Sequence, residues 1–376
     1  MMDLQRKLQD IEAQGIRRQL REVTAVNGKW IEIEGRQLLN FTSNDYLGMG
    51  QIPLSIESMR DASDPSSSRL VSGNVTHYRQ IEQTLAEHFQ FEDALVMNSG
   101  YDANLAVMQA FQGEEVILMS DAANHASLID GIRLSRLNKV IYPHQDIQTL
   151  EKRLRQYPES MTKVIVTDSV FSTHGDMAQL EALIALKAKI PNVWLLVDDS
   201  HAFGLNLHTA YAHIDILTTS LSKGVGAHGG AILCSHLFKQ VLVNTARVLI
   251  YSNALPIIDL VRMDEKLKRV FTHAERSNAL RQLSLTFNQL YQQYFGNPYQ
   301  IQDLTPIKAI TFDSYDKAEK VYQSLESEGY YVSYFRYPTV PKPALRVSLS
   351  WFHEVQDLKQ FFVVLQRAME RSLDNV

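Results

Sequence analysis

Short apolar runs alternate along this chain with longer segments in which apolar residues recur at helical spacing. This alternation is typical of β–α units that feed a mostly parallel sheet. Seven apolar runs are predicted strands, at residues 94–97, 115–119, 140–142, 163–167, 193–197, 214–218 and 230–234. Helical spacing predicts helices between them, at residues 101–111, 127–137, 147–157 and 178–190. We therefore expect an α/β fold with a large, mostly parallel seven-stranded sheet.

The later part of the chain has a different order of elements. Residues 260–294 are charged and poor in glycine and proline, which predicts a long linking helix. The predicted order after this helix is strand, helix, strand, strand and helix, at residues 307–312, 315–328, 331–335, 344–349 and 355–371. The chain is expected to divide into an N-terminal segment (1–45), a large ligand-binding domain (46–255), and the linking helix with a small α/β domain (256–376).

Composition narrows the possible classes of protein. With 376 residues, 45% of them hydrophobic, the chain can bury a sizeable core. A net charge of −5 without a long basic run argues against nucleic-acid or anionic-membrane binding. Cys234 is the only cysteine, which excludes an internal disulfide and favours a reducing compartment. The polar N-terminus and the lack of an apolar run of roughly 20 residues predict a cytoplasmic protein with no membrane span.

Polar clusters follow several predicted strands, where open α/β sheets bind ligands. Gly100 and Tyr101, at the start of a helix, can present backbone N–H groups to a phosphate, although an ordinary glycine turn explains them as well. His125 can lie on an aromatic ring; alternatively it is a surface residue and Asn124 or Ser127 is a helix cap. Ser172 lies in a polar loop that either faces a ligand or forms a plain turn.

Lys223 and Asp198 suggest a specific cofactor. Lys223 lies among small residues, 25 positions (223 − 198) after Asp198, which ends an apolar run. Pyridoxal phosphate (PLP) needs an amine for its Schiff base and a carboxylate for its pyridinium nitrogen. His201 is placed to bond the ring hydroxyl or a substrate carbonyl. Asp198 and His201 are also potential metal ligands, but further ligands at suitable spacing are missing and a lysine would repel the cation, so no metal is predicted.

A dinucleotide-binding motif is matched at residues 224–229, where the glycines fit G-x-G-x-x-G. Such a motif should lie between a strand and a helix, with an acidic residue about 20 positions later. Here another predicted strand follows, and no acidic residue lies near Val248. We therefore interpret the glycines as room for the loop after Lys223.

Taken together, the motifs resemble those of the PLP-dependent α-oxoamine synthases along nearly the whole chain. The matching segments lie, in order, at residues 40–48, 68–74, 98–101, 124–127, 170–172, 198–201, 222–224 and 346–348. The amino-acid sequences of the first two segments favour the branch of the family that condenses L-alanine with a pimeloyl thioester. The resemblance implies the PLP-dependent transferase fold of type I and a homodimer with a shared active site.

The resemblance also implies a role for each matching residue. Lys223 would form the Schiff base, Asp198 would face the pyridinium nitrogen and His125 would stack on the ring. His201 and Ser172 would contact the ring hydroxyl. Arg346 would hold the amino-acid carboxylate with Asn44 close by, although a structural salt bridge is its alternative. Ser220 and Asn253 would contact phosphate, Asn253 that of the neighbouring subunit; both stand where the family usually has threonine.

Other features bear on the acyl substrate. Arg17, Arg18 and Arg21 could bind its distal carboxylate or coenzyme A (CoA) phosphates, or could form a solvated helix face. Residues 62–67 lack the glycines that the family usually has before Ser68, which puts the preferred acyl length in doubt.

The expected reaction joins L-alanine to a pimeloyl group carried by CoA or by acyl carrier protein, with loss of carbon dioxide. Three alternatives stay open. One is a relative using glycine and acetyl-CoA, as 2-amino-3-ketobutyrate CoA ligase does, another is a fold type I aminotransferase, and the third is a non-enzymatic partner subunit. The third would lack the lysine that this chain keeps at position 223.

Overall fold

The structure is a computed structural model that describes residues 3–53, 64–208, 211–272 and 274–372. It divides into two compact units. The first unit contains residues 1–46, 173–175 and 279–376, and the second contains 47–172 and 176–278. The division at 45 and 255 expected from the sequence stays a prediction about independently folding parts.

The second unit is built on a seven-stranded sheet. Its strands are β4 (Asp93–Met97), β5 (Val116–Asp121), β6 (Asn138–Tyr142), β7 (Thr162–Asp168), β8 (Val193–Asp198), β9 (Ile216–Ser220) and β10 (Gly230–Cys234). The order across the sheet is β4-β10-β9-β8-β7-β5-β6. Only β10 runs antiparallel to its neighbours in this sheet. The seven predicted strands and the mostly parallel sheet are thus confirmed.

Helices cover this sheet on both faces. They are α2 (Thr76–Phe89), α3 (Gly100–Ala110), α4 (Ala126–Ser135), α5 (Ile147–Leu154), α6 (Leu180–Lys189), α7 (His236–Thr245), α8 (Arg247–Ile250) and α9 (Ile257–Thr272), with a π-helix at Arg69–Gly73 and a 3-10 turn at Tyr211–His213. Along β8, Leu195 and Val197 belong to one apolar cluster, whereas Leu196 belongs to the other. A strand buried on both faces is apolar at every position, which explains the continuous runs in the sequence.

The first unit combines the two ends of the chain. Its elements are α1 (Leu4–Ala13), β1 (Val23–Asn27), β2 (Trp30–Ile33), β3 (Arg36–Asn40), β11 (Ile307–Thr311), α11 (Tyr315–Ser327), β12 (Tyr330–Tyr331), β13 (Ser333–Phe335), β14 (Ala344–Ser348) and α12 (Val355–Arg371). The small C-terminal α/β arrangement is confirmed, but one predicted strand is divided. β12 pairs with β3, while β13 pairs with β14.

The predicted linking helix is observed as α9 and α10 (Ala274–Phe295) on either side of residue 273. The boundary between the two units falls within α10. Within the described ranges, no helix is both long enough and apolar enough to cross a membrane.

Candidate active site

Lys223 and His201 contact each other in the second unit. Lys223 lies in the turn between β9 and β10, and His201 follows the end of β8. The Lys223 Nζ atom lies 2.8 Å from His201 Nε2. His201 is buried, whereas Lys223 is partly buried. Because β8 and β9 are parallel neighbours, their carboxyl ends deliver both side chains to the same edge of the sheet.

Asp198 is a buried carboxylate at the end of β8, only 3% exposed. Its Oδ2 accepts a hydrogen bond of 2.7 Å from Asn104 Nδ2, and its Oδ1 accepts one of 2.9 Å from the Ser200 N–H. Both oxygens are therefore oriented by donors, as is required of a carboxylate that is to remain charged while buried.

His125 caps α4 with its own side chain, which accepts from the Ser127 N–H. The suggestion that Asn124 or Ser127 is the cap is therefore wrong. Burial lowers the pKa of His125, with the charges of Asp198 and Lys223 acting in opposite directions. His125 therefore lies close enough to Asp198 and Lys223 for their charges to affect its pKa. Asn124 instead ties β5 to β7, donating to the Val166 carbonyl and accepting from the Asp168 N–H.

Asp168 is a second buried acid beside Asp198, which it pairs with across β7 and β8. Its Oδ2 accepts a hydrogen bond of 2.8 Å from the His125 N–H. Burial, followed by the charge of Asp198, raises the pKa of Asp168 well above its ordinary value. Asp168 thus holds the His125 backbone in place through this hydrogen bond. Asp168 directly follows the predicted strand at residues 163–167, but nothing in the sequence indicated this role.

The start of α3 packs tightly against the end of β9. A Cβ on Gly100 would come within 2.8 Å of Ser220 Cβ, and one on Gly230 would come within 2.4 Å of the Ser99 carbonyl. Ser220 Oγ lies 2.8 Å from Ser222 Oγ. Glycine is therefore required at both positions, and the helix N-terminus lies beside serine hydroxyls. Such an arrangement suits a phosphate.

The other candidates in this unit are less closely connected. Tyr101 lies in the first turn of α3, and its hydroxyl bonds to Asp130. Ser172 is partly exposed beyond β7. Asn253 has an exposed side chain, and its backbone carbonyl accepts from Asn98 Nδ2 at 3.0 Å.

The glycines at residues 224–229 lead directly from β9 into β10. No helix follows them, so the rejection of a dinucleotide motif is confirmed. Among the residues that the structure describes, no group of three or more His, Cys, Asp and Glu side chains is arranged to hold a metal ion.

Arg346 lies in the first unit, on β14, and is 5% exposed. Its Nη2 donates to Asn44 Oδ1 at 3.1 Å and to the Tyr46 hydroxyl at 3.2 Å. Burial raises the pKa of Tyr46 to about 12. The expected proximity of Asn44 to Arg346 is confirmed. Arg346 Nε is buried and bonds to no described partner, so its guanidinium keeps a donor available for an anion.

A cavity of about 640 Å³ also lies in the first unit. Arg18, Arg21, Tyr334 and Arg336 are among its lining residues. Arg21 forms ion pairs with Glu326 at 2.9 Å and Glu34 at 3.2 Å. Arg18 donates only a long bond of 3.5 Å to Thr339 among its described contacts. α1 ends at Ala13, so the alternative that these arginines form a helix face is wrong.

One predicted feature is only partly described, and one residue of the site was not predicted. Residues 62 and 63 of the glycine-poor approach to Ser68 lie outside the described residues. Asn104 was missed because it lies inside a helix rather than at the end of a strand. The other buried residues of that helix are small or apolar, and a polar residue among them is its only signal in the sequence.

Comparison with known proteins agrees with this geometry. The model for aminotransferase classes I and II matches residues 36–362. The 8-amino-7-oxononanoate synthase of Haemophilus ducreyi is 34% identical over 92% of this chain and 94% of its own. That of Herminiimonas arsenicoxydans is also 34% identical, over 96% and 98%.

A solved structure, the 8-amino-7-oxononanoate synthase of Francisella tularensis, superposes with a TM-score of 0.77. It is 26% identical and covers 89% of this chain and 99% of its own. The chain therefore belongs to the class I and II aminotransferase family of fold type I, within the group of the 8-amino-7-oxononanoate synthases.

Proposed function

We propose that this chain is an 8-amino-7-oxononanoate synthase of biotin biosynthesis, which uses PLP to condense L-alanine with a pimeloyl thioester. In the net reaction, the alanine Cα forms a bond to the thioester carbonyl carbon, and the thiol of CoA or of acyl carrier protein leaves. The alanine carboxylate is lost as carbon dioxide. The main observation that supports the proposal is the contact between Lys223 and His201, close to Asp198 and His125.

The residues of the candidate site suit the aldehyde, the ring nitrogen, the ring and the phosphate of PLP. Lys223 supplies the amine for the aldehyde and Asp198 the buried carboxylate for the ring nitrogen. His125 supplies a ring for stacking. The tight junction of Gly100 with Ser220 supplies backbone and hydroxyl donors for the phosphate, and we assign Tyr101, Ser172, His201 and Asn253 to the same cofactor site. When bound, PLP acts as an electron sink that stabilises negative charge on the substrate Cα.

Lys223 and His201 would control the transfer of the proton from the substrate Cα. An amine freed from the cofactor can accept the alanine Cα proton, and His201 Nε2, at 2.8 Å, can orient the amine by accepting one of its hydrogens. Asp198 remains fixed by its two donors during this transfer. The base, Lys223, and the counter-charge, Asp198, are thereby held in place before the substrate binds.

Arg346 would bind the alanine carboxylate. A guanidinium binds a carboxylate with two parallel hydrogen bonds, and Arg346 Nε is buried with no described partner. Asn44 and Tyr46 fix the other side of the same guanidinium. Arg18 is the better candidate for the distal pimeloyl carboxylate or CoA phosphates, because Arg21 is already neutralised by two glutamates.

We also propose a homodimer with a shared active site. Large apolar side chains are exposed near the segment that contains Asn253: Leu70 is 48%, Val71 81% and Tyr251 72% exposed. Covering such residues in a second subunit would be favourable. Cytoplasmic location stays a prediction from the single cysteine.

The test measures three products in one reaction. Purified protein with PLP, L-alanine and pimeloyl-CoA should release free thiol and carbon dioxide in equal amounts, together with 8-amino-7-oxononanoate identified by mass. Lys223→Ala should abolish all three. Release of thiol only with glycine and acetyl-CoA would favour the ligase, and exchange of alanine for a keto acid without thiol release would favour an aminotransferase. A wild-type protein that does not bind PLP would overturn the proposal entirely.

A further inference from the structure

Asn104 lies at the centre of a buried hydrogen-bond network beneath the candidate cofactor site. It lies in α3, the helix that begins at Gly100, and is 1% exposed. Its Nδ2 donates to Asp198 Oδ2 at 2.7 Å and to Ser127 Oγ at 2.8 Å. Its Oδ1 accepts a hydrogen bond of 2.6 Å from Thr218 Oγ1. Both ends of the amide are therefore bonded within the protein.

These partners determine the orientation of the amide. A flipped Asn104 would place its oxygen against the Asp198 carboxylate, and two acceptors would then face each other without a hydrogen between them. Thr218 is fully buried and donates to the oxygen in the observed orientation. Asn104 must accordingly present its two N–H groups to Asp198 and Ser127.

The same network determines which nitrogen of His125 carries the proton. Ser127 Oγ accepts from Asn104, so its own hydrogen is free to be donated to His125 Nδ1 at 2.7 Å. The Ser127 backbone N–H also points to Nδ1, at 3.3 Å. With Nδ1 accepting twice, the hydrogen of the neutral imidazole lies on Nε2.

We propose that Asn104 is a positioning residue that couples the Asp198 carboxylate to the His125 imidazole through Ser127, orienting the carboxylate and selecting the Nε2–H tautomer of the histidine. This inference rests on the proposed function for its purpose, because Asp198 is the residue assigned to the PLP ring nitrogen and His125 the residue assigned to stack on the ring. It goes beyond the proposed function because it connects the Asp198 carboxylate and the His125 imidazole through one hydrogen-bond network. Asn104 contacts neither substrate nor cofactor in this scheme.

Charged groups act on His125 in addition to these hydrogen bonds. The carboxylates of Asp198 and Asp130 favour its protonated form, whereas the Lys223 ammonium opposes it. Asp168 bonds to the His125 backbone N–H rather than to the ring. A variant at residue 104 leaves Asp130, Lys223 and Asp168 in place, so the tautomer of His125, which depends on the donor to Nδ1, reports on the Ser127 link.

The test variant is Asn104→Asp, which keeps the shape of the side chain but removes both donors. The new carboxylate would take the Ser127 hydrogen, and His125 Nδ1 would lose its main donor. In apoprotein labelled with ¹⁵N-histidine, the imidazole nitrogens of His125, assigned with His125→Gln, should show the Nε2–H form in the wild type. In Asn104→Asp they should shift towards the Nδ1–H form, and the added carboxylate should raise the titration midpoint of His125.

Cofactor affinity gives a second readout. Two adjacent carboxylates share a proton, so Asp198 would pair less well with the ring nitrogen and the PLP dissociation constant should rise by about tenfold or more. Thr218→Val is the matched control: it removes the bond to Asn104 Oδ1 but leaves both amide donors. It should retain the wild-type tautomer.

The two proposals fail in different ways. A folded Asn104→Asp protein with an unchanged His125 tautomer would overturn the inference about Asn104. If that variant does not fold, Ser127→Ala removes the same link to Nδ1, and an unchanged tautomer there would overturn the inference equally. A wild-type protein that binds no PLP would refute the proposed function, while the measurements on apoprotein would still decide the role of Asn104.

Discussion

Lys223 Nζ and His201 Nε2 lie 2.8 Å apart, although the two residues belong to different strand-end loops. The contact joins the proposed cofactor-binding amine to an imidazole within hydrogen-bond reach. A neighbour that accepts a hydrogen from an amine restricts its rotation, which matters for a group that must act first as a nucleophile and then as a base.

Replacement of His201 tests this relationship. His201→Phe should retain bound PLP through Lys223 but lower kcat by about 10²-fold or more, the size expected when a residue that assists proton transfer is lost. His201→Gln, which keeps a hydrogen-bonding side chain, should retain more activity than His201→Phe. Steady-state kinetics and the visible absorbance of the bound cofactor measure the two effects separately. Equal activity of both variants and the wild type would rule out this role.

The proposed carboxylate-binding role of Arg346 predicts that its replacement weakens alanine binding. Arg346→Lys keeps the charge but cannot form the paired hydrogen bonds of a guanidinium, so KM for alanine should rise by about tenfold or more, equivalent to about 1.4 kcal/mol. Tyr46→Phe removes one contact to Arg346 Nη2 and serves as a milder comparison. Retention of the wild-type KM in a folded Arg346→Lys protein would show that Arg346 is structural.

Arg18 and Arg21 should behave differently, although they are three positions apart. Hydrogen bonding to Glu326 is the main cause that raises the pKa of Arg21, and the ion pair connects the N-terminal segment to α11. We expect Arg21→Gln to lower the melting temperature, whereas Arg18→Gln should leave it nearly unchanged and raise KM for the pimeloyl thioester. Thermal unfolding and kinetics on both variants provide the comparison. The reverse pattern would contradict the assignment of Arg18 to the acyl substrate.

His144 predicts a pH-dependent contribution to stability. Its Nδ1 lies 2.8 Å from Asp121 Oδ1 and its Nε2 lies 2.7 Å from Asp176 Oδ2. Burial alone would lower the pKa of His144, but these two carboxylates outweigh it and raise the pKa to about 9, from 6.5. Because the folded value is the higher one, the stabilisation is fully present below about pH 6.5 and is lost as pH rises through about 9.

The measurement is the difference in melting temperature between the wild type and His144→Asn at several pH values. The difference should be largest near pH 6 and shrink towards pH 10. Use of the difference cancels the titration of groups that both proteins share. A difference that stays constant over this range would show that His144 is not charged in the folded protein.

Much of the second unit could be predicted from the sequence, because burial on both faces of a parallel sheet leaves continuous apolar runs. Such runs at residues 193–197 and 230–234 mark strands wherever they occur in the chain. The N-terminal strands β1 to β3 escaped prediction. β1 is exposed at every position, and its pattern therefore carries no burial signal.

The division of residues 330–335 between two sheets also required the structure. Tyr330 pairs with Leu39, whereas Phe335 pairs with Ala344. Leu39 is distant from Tyr330 in the sequence, and a loop separates Phe335 from Ala344. A short strand has no local feature that identifies its neighbour.

The sequence by itself determined the fold class and indicated most of the candidate site residues, since Lys223, Asp198, His125 and His201 each follow a recognisable strand. Only the tertiary structure decided how these groups are connected. Asn104 reaches Asp198 across 94 positions and Thr218 across 114, and Asp168 lies beside Asp198 because β7 and β8 are neighbours in the sheet. Hydrogen bonds act over about 3 Å, so which donors meet which acceptors depends on strand order and helix packing rather than on spacing along the chain.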